Sequence, residues 1–226
     1  MRIEPLGDTA CLIRIVEEFD PATSLDAVLR GVHQLEAAAI PGIVELAPSY
    51  ATIGIFLDPR GIDDLERLHD RIRDTLRTSG ERAPSNAPRE VHVPVCYEGP
   101  FAPDLDDVAK HASLPADEVV RRHSAATYRV SCVGFTPGFP YLSGLPAELA
   151  TPRRASPRKE IPAGSVAIGG TQAGIYPSKS PGGWNIIGRT PLPLFDVGRN
   201  PPAIFRAGDW VRFRKISRAE FEEMTR

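Results

Sequence analysis

The chain has 226 residues, 42% apolar and 25% charged, the make-up of a globular protein and not of a disordered one. Twenty-seven Lys and Arg against 29 Asp and Glu leave a net charge of −2, which argues against a dedicated nucleic-acid binder. No apolar run approaches the roughly 18 residues that cross a bilayer, so no membrane partner is expected; the opening residues lack the pattern of a secretory leader.

The elements predicted in chain order begin with a strand-like run, Ala10–Val16, after the Gly7-Asp8 turn. Asp20 and Pro21 then suit the cap and first turn of a helix. Leu25, Val28, Leu29, Val32 and Leu35 recur at helical spacing along it. Two strands follow, Ile43–Leu46 and Thr52–Leu57, separated by the Pro48-Ser49 turn. A second helix is expected from about Gly61, with the stripe Ile62, Leu65, Leu68, Ile72 and Leu76. Asp63 and Asp64 near its start and Arg73 and Arg77 near its end complement the helix dipole. This order is that of a ferredoxin-like, split βαβ unit, for which Glu90–Cys96 is available as last strand. Thr78–Arg89, without periodic apolar residues, is the linker candidate. The domains expected are thus 1–85, a small α+β unit, and 86–226. Two short helices, Asp104–His111 and Ala116–Ser124, open the second domain, with Leu114 and Val119 spaced as a hydrophobic staple. A strand at Trp210–Phe213 and a last helix, with Ser217 and Glu220 at capping-box spacing, close it.

Between them the texture changes. Residues 131–208 hold 12 Pro and 12 Gly, interleaved with short apolar runs at Val166–Ile168, Ile186-Ile187 and Leu192–Val197. Short strands joined by tight turns are the pattern of a barrel or sandwich. Charge is uneven too. Residues 150–226 carry 13 basic and 6 acidic side chains, a balance of +7 that suits an anionic ligand or an acidic partner, or a solvated basic face.

Several constellations are excluded. No P-loop, GxGxxG, GxSxG or HExxH occurs. The five histidines lie at least 12 residues apart and suggest no local metal site. Cys11, Cys96 and Cys132 form no CxxC pair and read as reduced thiols buried in a cytoplasmic protein. What remains lies in residues 128–196. The run YRVSCVGFTPGFPYLSGLP presents Phe135, Pro137, Phe139 and Tyr141 in a loop, as interface anchors or a pocket wall. PRRASPRKEIPAGSVAIGG holds Arg153, Arg154, Arg158 and Lys159 beside prolines. Guanidiniums on a stiff backbone suit a carboxylate or phosphate; an exposed basic loop is the alternative. In TQAGIYPSKSPGGWNIIGRTPLPLF, the Gly182-Gly183 turn brings Trp184 either to a ligand or into the core. His123 falls at a helix end, where the dipole favours its charged form. It is a candidate general base or ligand contact as well as a structural residue.

These three ordered motifs resemble the signature of the allophanate hydrolase subunit 1 family, which includes KipI-type kinase inhibitors and covers nearly the whole chain in layout. The resemblance implies an α+β fold, a ferredoxin-like domain followed by a cyclophilin-like β-barrel of carboxyltransferase type. It implies the B subunit of a cytoplasmic, heteromeric, ATP-dependent 5-oxoprolinase, inactive alone. Its partners would be a related C subunit, similar to allophanate hydrolase subunit 2, and a LamB/YcsF-like A subunit. ATP would be used by the complex without being bound by this chain alone. The alternatives are inhibition of a sensor histidine kinase and a role like that in allophanate hydrolase or urea carboxylase. On this reading Arg153 and Arg158 bind anionic groups of 5-oxo-L-proline or its phosphorylated form. Gln172 and Tyr176 line the wall, and Arg189 is a further candidate.

Overall fold

The computed structural model describes residues 2–20, 23–78 and 89–226; Pro21 and the expected boundary near residue 85 lie outside them. The chain divides into two compact units, Met1–Ala87 and Pro88–Arg226.

In the first unit the elements are β1 (Ile3–Pro5), β2 (Ala10–Arg14), α1 (Ser24–Ala38), β3 (Ile43–Ser49), β4 (Thr52–Leu57) and α2 (Leu65–Arg77). The sheet order is β1-β2-β4-β3, antiparallel throughout. Alternation turns Cys11 and Ile13 of β2, and Ile53, Ile55 and Leu57 of β4, to one face. Val28, Val32 and Leu35 of α1 and Leu68, Ile72 and Leu76 of α2 pack onto that face. The Asp20 carboxylate accepts from the Thr23 N–H at 2.9 Å, one turn ahead of α1. Asp64 caps α2, accepting from Glu66 N–H and Arg67 N–H at 2.9 and 3.1 Å.

Several expectations change. The reversal between β3 and β4 lies at Tyr50, whose φ is 49°, and not at Pro48-Ser49, which β3 includes. The second helix starts at Leu65, because Pro59–Gly61 forms a separate 3-10 turn. Leu65 is therefore exposed rather than in the stripe. Glu90–Cys96 is not the sheet's outer strand. The N-terminal β1 occupies that position beside β2.

The second unit comprises β5 (Glu90–Cys96), α3 (Leu105–Ala112), α4 (Ala116–Ala125), β6 (Thr127–Val133), β7 (Pro140–Ser143), β8 (Arg158–Ile161), β9 (Ser165–Gly169), β10 (Gln172–Ile175), β11 (Ser180–Gly182), β12 (Asn185–Arg189), β13 (Trp210–Ile216) and α5 (Arg218–Met224). Seven strands close a barrel in the order β10-β7-β6-β13-β5-β12-β9, and β9 pairs back to β10. β5 lies parallel to β13. Val93, Val95, Val130, Leu142, Val166, Ile168, Ala173, Ile175 and Phe213 belong to its core, onto which Val108, Val119 and Val120 of α3 and α4 pack. Leu192–Val197 forms no strand; only Phe195 bridges, to Ala203. β8 and β11 pair as a separate ribbon. The capping box of α5 is present, Ser217 Oγ accepting from Glu220 N–H at 3.2 Å.

Candidate functional site

Alternation along the barrel strands sends a second set of side chains away from the barrel core. Phe139, Tyr176, Trp184, Ile161, Ala167 and Ile186 form a cluster of their own there, with Tyr141 half-buried beside it. Phe139 is the hub. Its ring meets Tyr141, Tyr176 and Trp184 edge-on, with centroids 4.9, 5.1 and 5.6 Å apart, the favoured arrangement for aromatic quadrupoles. The indole lies against strands stripped of side chains. A Cβ on Gly169 would stand 2.5 Å from Trp184, and one on Gly174 would stand 2.8 Å from Phe139 and 2.9 Å from Trp184.

The tight loop 134–139 carries Phe135 and Pro137 outward. Phe135 is 61% exposed, at a φ of 67°, a backbone state that costs a non-glycine residue energy. Its ring still meets Phe139 at 5.6 Å and Tyr176 at 6.4 Å. Arg153 is exposed and stands over the Trp184 ring at 5.6 Å, a cation–π distance. Gln172 is half-buried and shares a face of β10 with Gly174. Burial pushes the Tyr141 and Tyr176 hydroxyls up from their ordinary pKa, with the Arg153 charge pulling the other way. Both therefore stay neutral at physiological pH.

The arginines separate into two kinds. Arg158 turns inward and grips both carboxylate oxygens of Asp104 at 2.7 and 2.8 Å. Arg154 Nη1 joins the same carboxylate at 2.7 Å, as does the Ile186 N–H at 2.7 Å. Asp104 itself is 1% exposed. Arg158 is thus committed to an internal counter-charge, which corrects its expected role as a free anion ligand. Arg189 donates from Nε to the Ala163 carbonyl at 2.8 Å. It pairs in register with Ser165, the opposite end of β9 from Gly169, so it is not brought to the aromatic cluster. Neither Gly182 nor Gly183 has a positive φ. Gly182 is needed because a Cβ there would collide with the Tyr176 hydroxyl.

His123 is a core residue. It is fully buried, stacked on Phe213 at 4.6 Å and hydrogen-bonded to the Tyr97 hydroxyl through Nδ1 at 2.9 Å. Desolvation lowers its pKa to about 3. Burial outweighs the helix dipole, which overturns the expected charged form, and no ligand can reach the ring.

Asp104 escaped the sequence reading because its partners lie 50 to 82 residues away. The one available signal was the crowding of Arg153, Arg154, Arg158 and Lys159 beside a single carboxylate, Glu160. Such a segment needs counter-charge from elsewhere.

Residues 1–205 match the family model described as carboxyltransferase domain, subdomain C and D. The chain is 41% identical to the B subunit of 5-oxoprolinase from Bacillus subtilis (strain 168), over 97% of this chain and 95% of that one. It is also 41% identical to the protein of the same name from Escherichia coli O157:H7, over 92% and 93%. Among solved structures, TTHA0988 superposes with a TM-score of 0.75 at 34% identity, covering 92% of this chain and 40% of that longer one.

Proposed function

The chain belongs to the family of carboxyltransferase domains, subdomain C and D, and from that premise we propose that it is the B subunit of a heteromeric 5-oxoprolinase. The complex converts 5-oxo-L-proline, ATP and water to L-glutamate, ADP and phosphate. The observation that carries this reading is the 41% identity to the Bacillus subtilis relative over nearly the full length of both chains. The related C subunit and the A subunit are its partners, ATP is consumed by the assembly and not held by this chain alone, and the setting is cytoplasmic. Three cysteines without disulfides agree with that setting.

The part of the substrate site contributed by this chain is the outer barrel wall around Trp184. An exposed guanidinium on an aromatic wall suits a small cyclic carboxylate: Arg153 takes the charge, half-buried Tyr141 flanks the ring, and Trp184, only 5% exposed, backs the guanidinium. Gln172 adds a neutral hydrogen-bonding group on the same face. Tyr176 acts from beneath, as packing for Phe139 and Trp184. Phe135 and Pro137, held outward by their loop, are anchors for the chain that closes the pocket. The lactam carbonyl is a poor electrophile until its oxygen is phosphorylated, a step needing charge stabilisation and water control. The residues of this wall bind and orient; the phosphoryl chemistry belongs to the assembly.

Reconstitution tests the reading. Glutamate release from 5-oxo-L-proline and ATP is expected from the chain mixed with its C and A partners, and not from the chain alone. In that mixture Arg153→Ala raises KM about tenfold with kcat nearly unchanged, as loss of a charged hydrogen bond predicts. Arg158→Ala acts less directly: KM rises less than in Arg153→Ala, and stability falls by roughly 2–4 kcal/mol because a spoke of the buried Asp104 cluster is lost. An unaltered KM in Arg153→Ala would remove the site assignment, and absence of turnover in every mixture would remove the function.

A further inference from the structure

We propose that Asp104 is the positioning residue of the Arg153–Trp184 pair. The inference rests on reading that pair as substrate-facing, and it adds a residue that no motif contains. Two short segments cross at the site. The Arg154 N–H donates to the Gly183 carbonyl at 2.7 Å, and Asn185 Nδ2 donates to the Pro152 carbonyl at 2.9 Å. The residues between these two ties are Arg153 on one segment and Trp184 on the other. The Thr151–Gly170 bridge, with N–H to carbonyl distances of 3.1 and 2.8 Å, joins the first segment to the barrel ahead of Arg153. Asp104 holds it beyond Arg153. Its carboxylate grips Arg154 and Arg158 on the first segment and the Ile186 N–H on β12, while its own N–H donates to the Ile186 carbonyl at 3.0 Å.

The charges make this grip strong and specific. Asp104 is 1% exposed, so its bonds to two guanidiniums and an amide act in a low dielectric. The Arg154 and Arg158 side chains are 31% and 27% exposed. Deprived of the carboxylate, they gain by turning to water, and the segment from Pro152 to Arg158 goes with them. The Arg153 guanidinium then leaves its place 5.6 Å over the indole. Asp104 touches neither the pair nor the proposed ligand position, and acts on both through backbone and neighbouring side chains.

Trp184 is one of two tryptophans, so a full-length chain carrying Trp210→Phe reports its environment alone. In that chain Asp104→Asn keeps the side-chain size and removes the charge. A red-shifted emission and readier iodide quenching are expected, with partial return in Asp104→Glu. In the assembled complex, KM for 5-oxo-L-proline rises about tenfold while kcat changes less than about twofold. Arg154→Gln removes one spoke only and gives a smaller shift in the same direction, which keeps the test decisive if Asp104→Asn fails to fold. A merely structural Asp104 would lower the melting temperature while leaving emission, quenching and KM of the folded variants at parental values; that result overturns the proposal. Should the parental complex release no glutamate, the functional reading fails, and the emission and quenching measurements still decide whether Asp104 positions Trp184.

Discussion

At His123, burial has more effect than a position in a helix. The ring sits in the last turn of α4, where a cation is favoured by up to about 2 kcal/mol, yet desolvation holds its pKa near 3 against 6.5 in an unfolded chain. Between those values the unfolded state binds a proton that the native state refuses. The contribution to stability is therefore complete above about pH 6.5 and is lost progressively as pH falls toward 3, an effect on the order of a few kcal/mol. Replacing both partners, His123→Phe with Tyr97→Phe, removes the titrating group without leaving a lone buried hydroxyl. The urea midpoint of the double variant is expected to fall less steeply below pH 6.5 than that of the parent. Parallel slopes would show that carboxylates elsewhere, and not this imidazole, set the acid limit. The residue types of the site were legible in the chain's order: an arginine-rich segment, an aromatic loop, a glycine pair before a tryptophan. Which arginine faces water was not, because that depends on Asp104, a carboxylate supplied from just ahead of α3 and 54 residues from Arg158.

Among the elements, β9 and β10 determine the site by what they lack. Trp184 and Phe139 can lie on the outer barrel surface only because Gly169 and Gly174 leave room. Gly174→Ala puts a methyl group less than 3 Å from two rings at once. It is expected to cost about 1–3 kcal/mol and to weaken the aromatic near-UV circular dichroism, with no change in far-UV signal. A variant as stable as the parent, with its aromatic signal intact, would mean the rings have slack not visible in their packing. The same elements mark how far the sequence could be read. Amphipathic stripes and capping residues are local signals, so α5 starts where Ser217 directs, whereas α2 starts after Asp64 and not at Gly61, where its apolar stripe placed it. Strand pairing is a long-range property. Glu90–Cys96 has the pattern of a strand, but nothing in it chooses between completing a four-stranded sheet and lying parallel to β13, some 120 residues on. Leu192–Val197 is apolar enough for a strand, yet prolines at 191, 193, 201 and 202 withdraw the amide donors from it and its neighbour.

For the whole molecule, the decisive feature is that each unit has its own apolar core. One is built from β2, β4, α1 and α2; the other from the barrel with α3 and α4. Cores that share no residues are the physical condition for separate folding. The placement of β5 sharpens this into a test of the proposed boundary near residue 85. β5 lies between β12 and β13, so the barrel closes only if Glu90–Cys96 travels with the second unit. A fragment of residues 86–226 is expected to unfold cooperatively and to keep the tryptophan emission of the full chain. A fragment starting at residue 98 loses that strand, leaves two barrel edges unpaired, and should bind hydrophobic dyes as a loosely packed state does. If the longer fragment melts without cooperativity, the two cores do not fold as separate domains. The outer wall carrying Arg153 and Trp184 then depends on the first 85 residues.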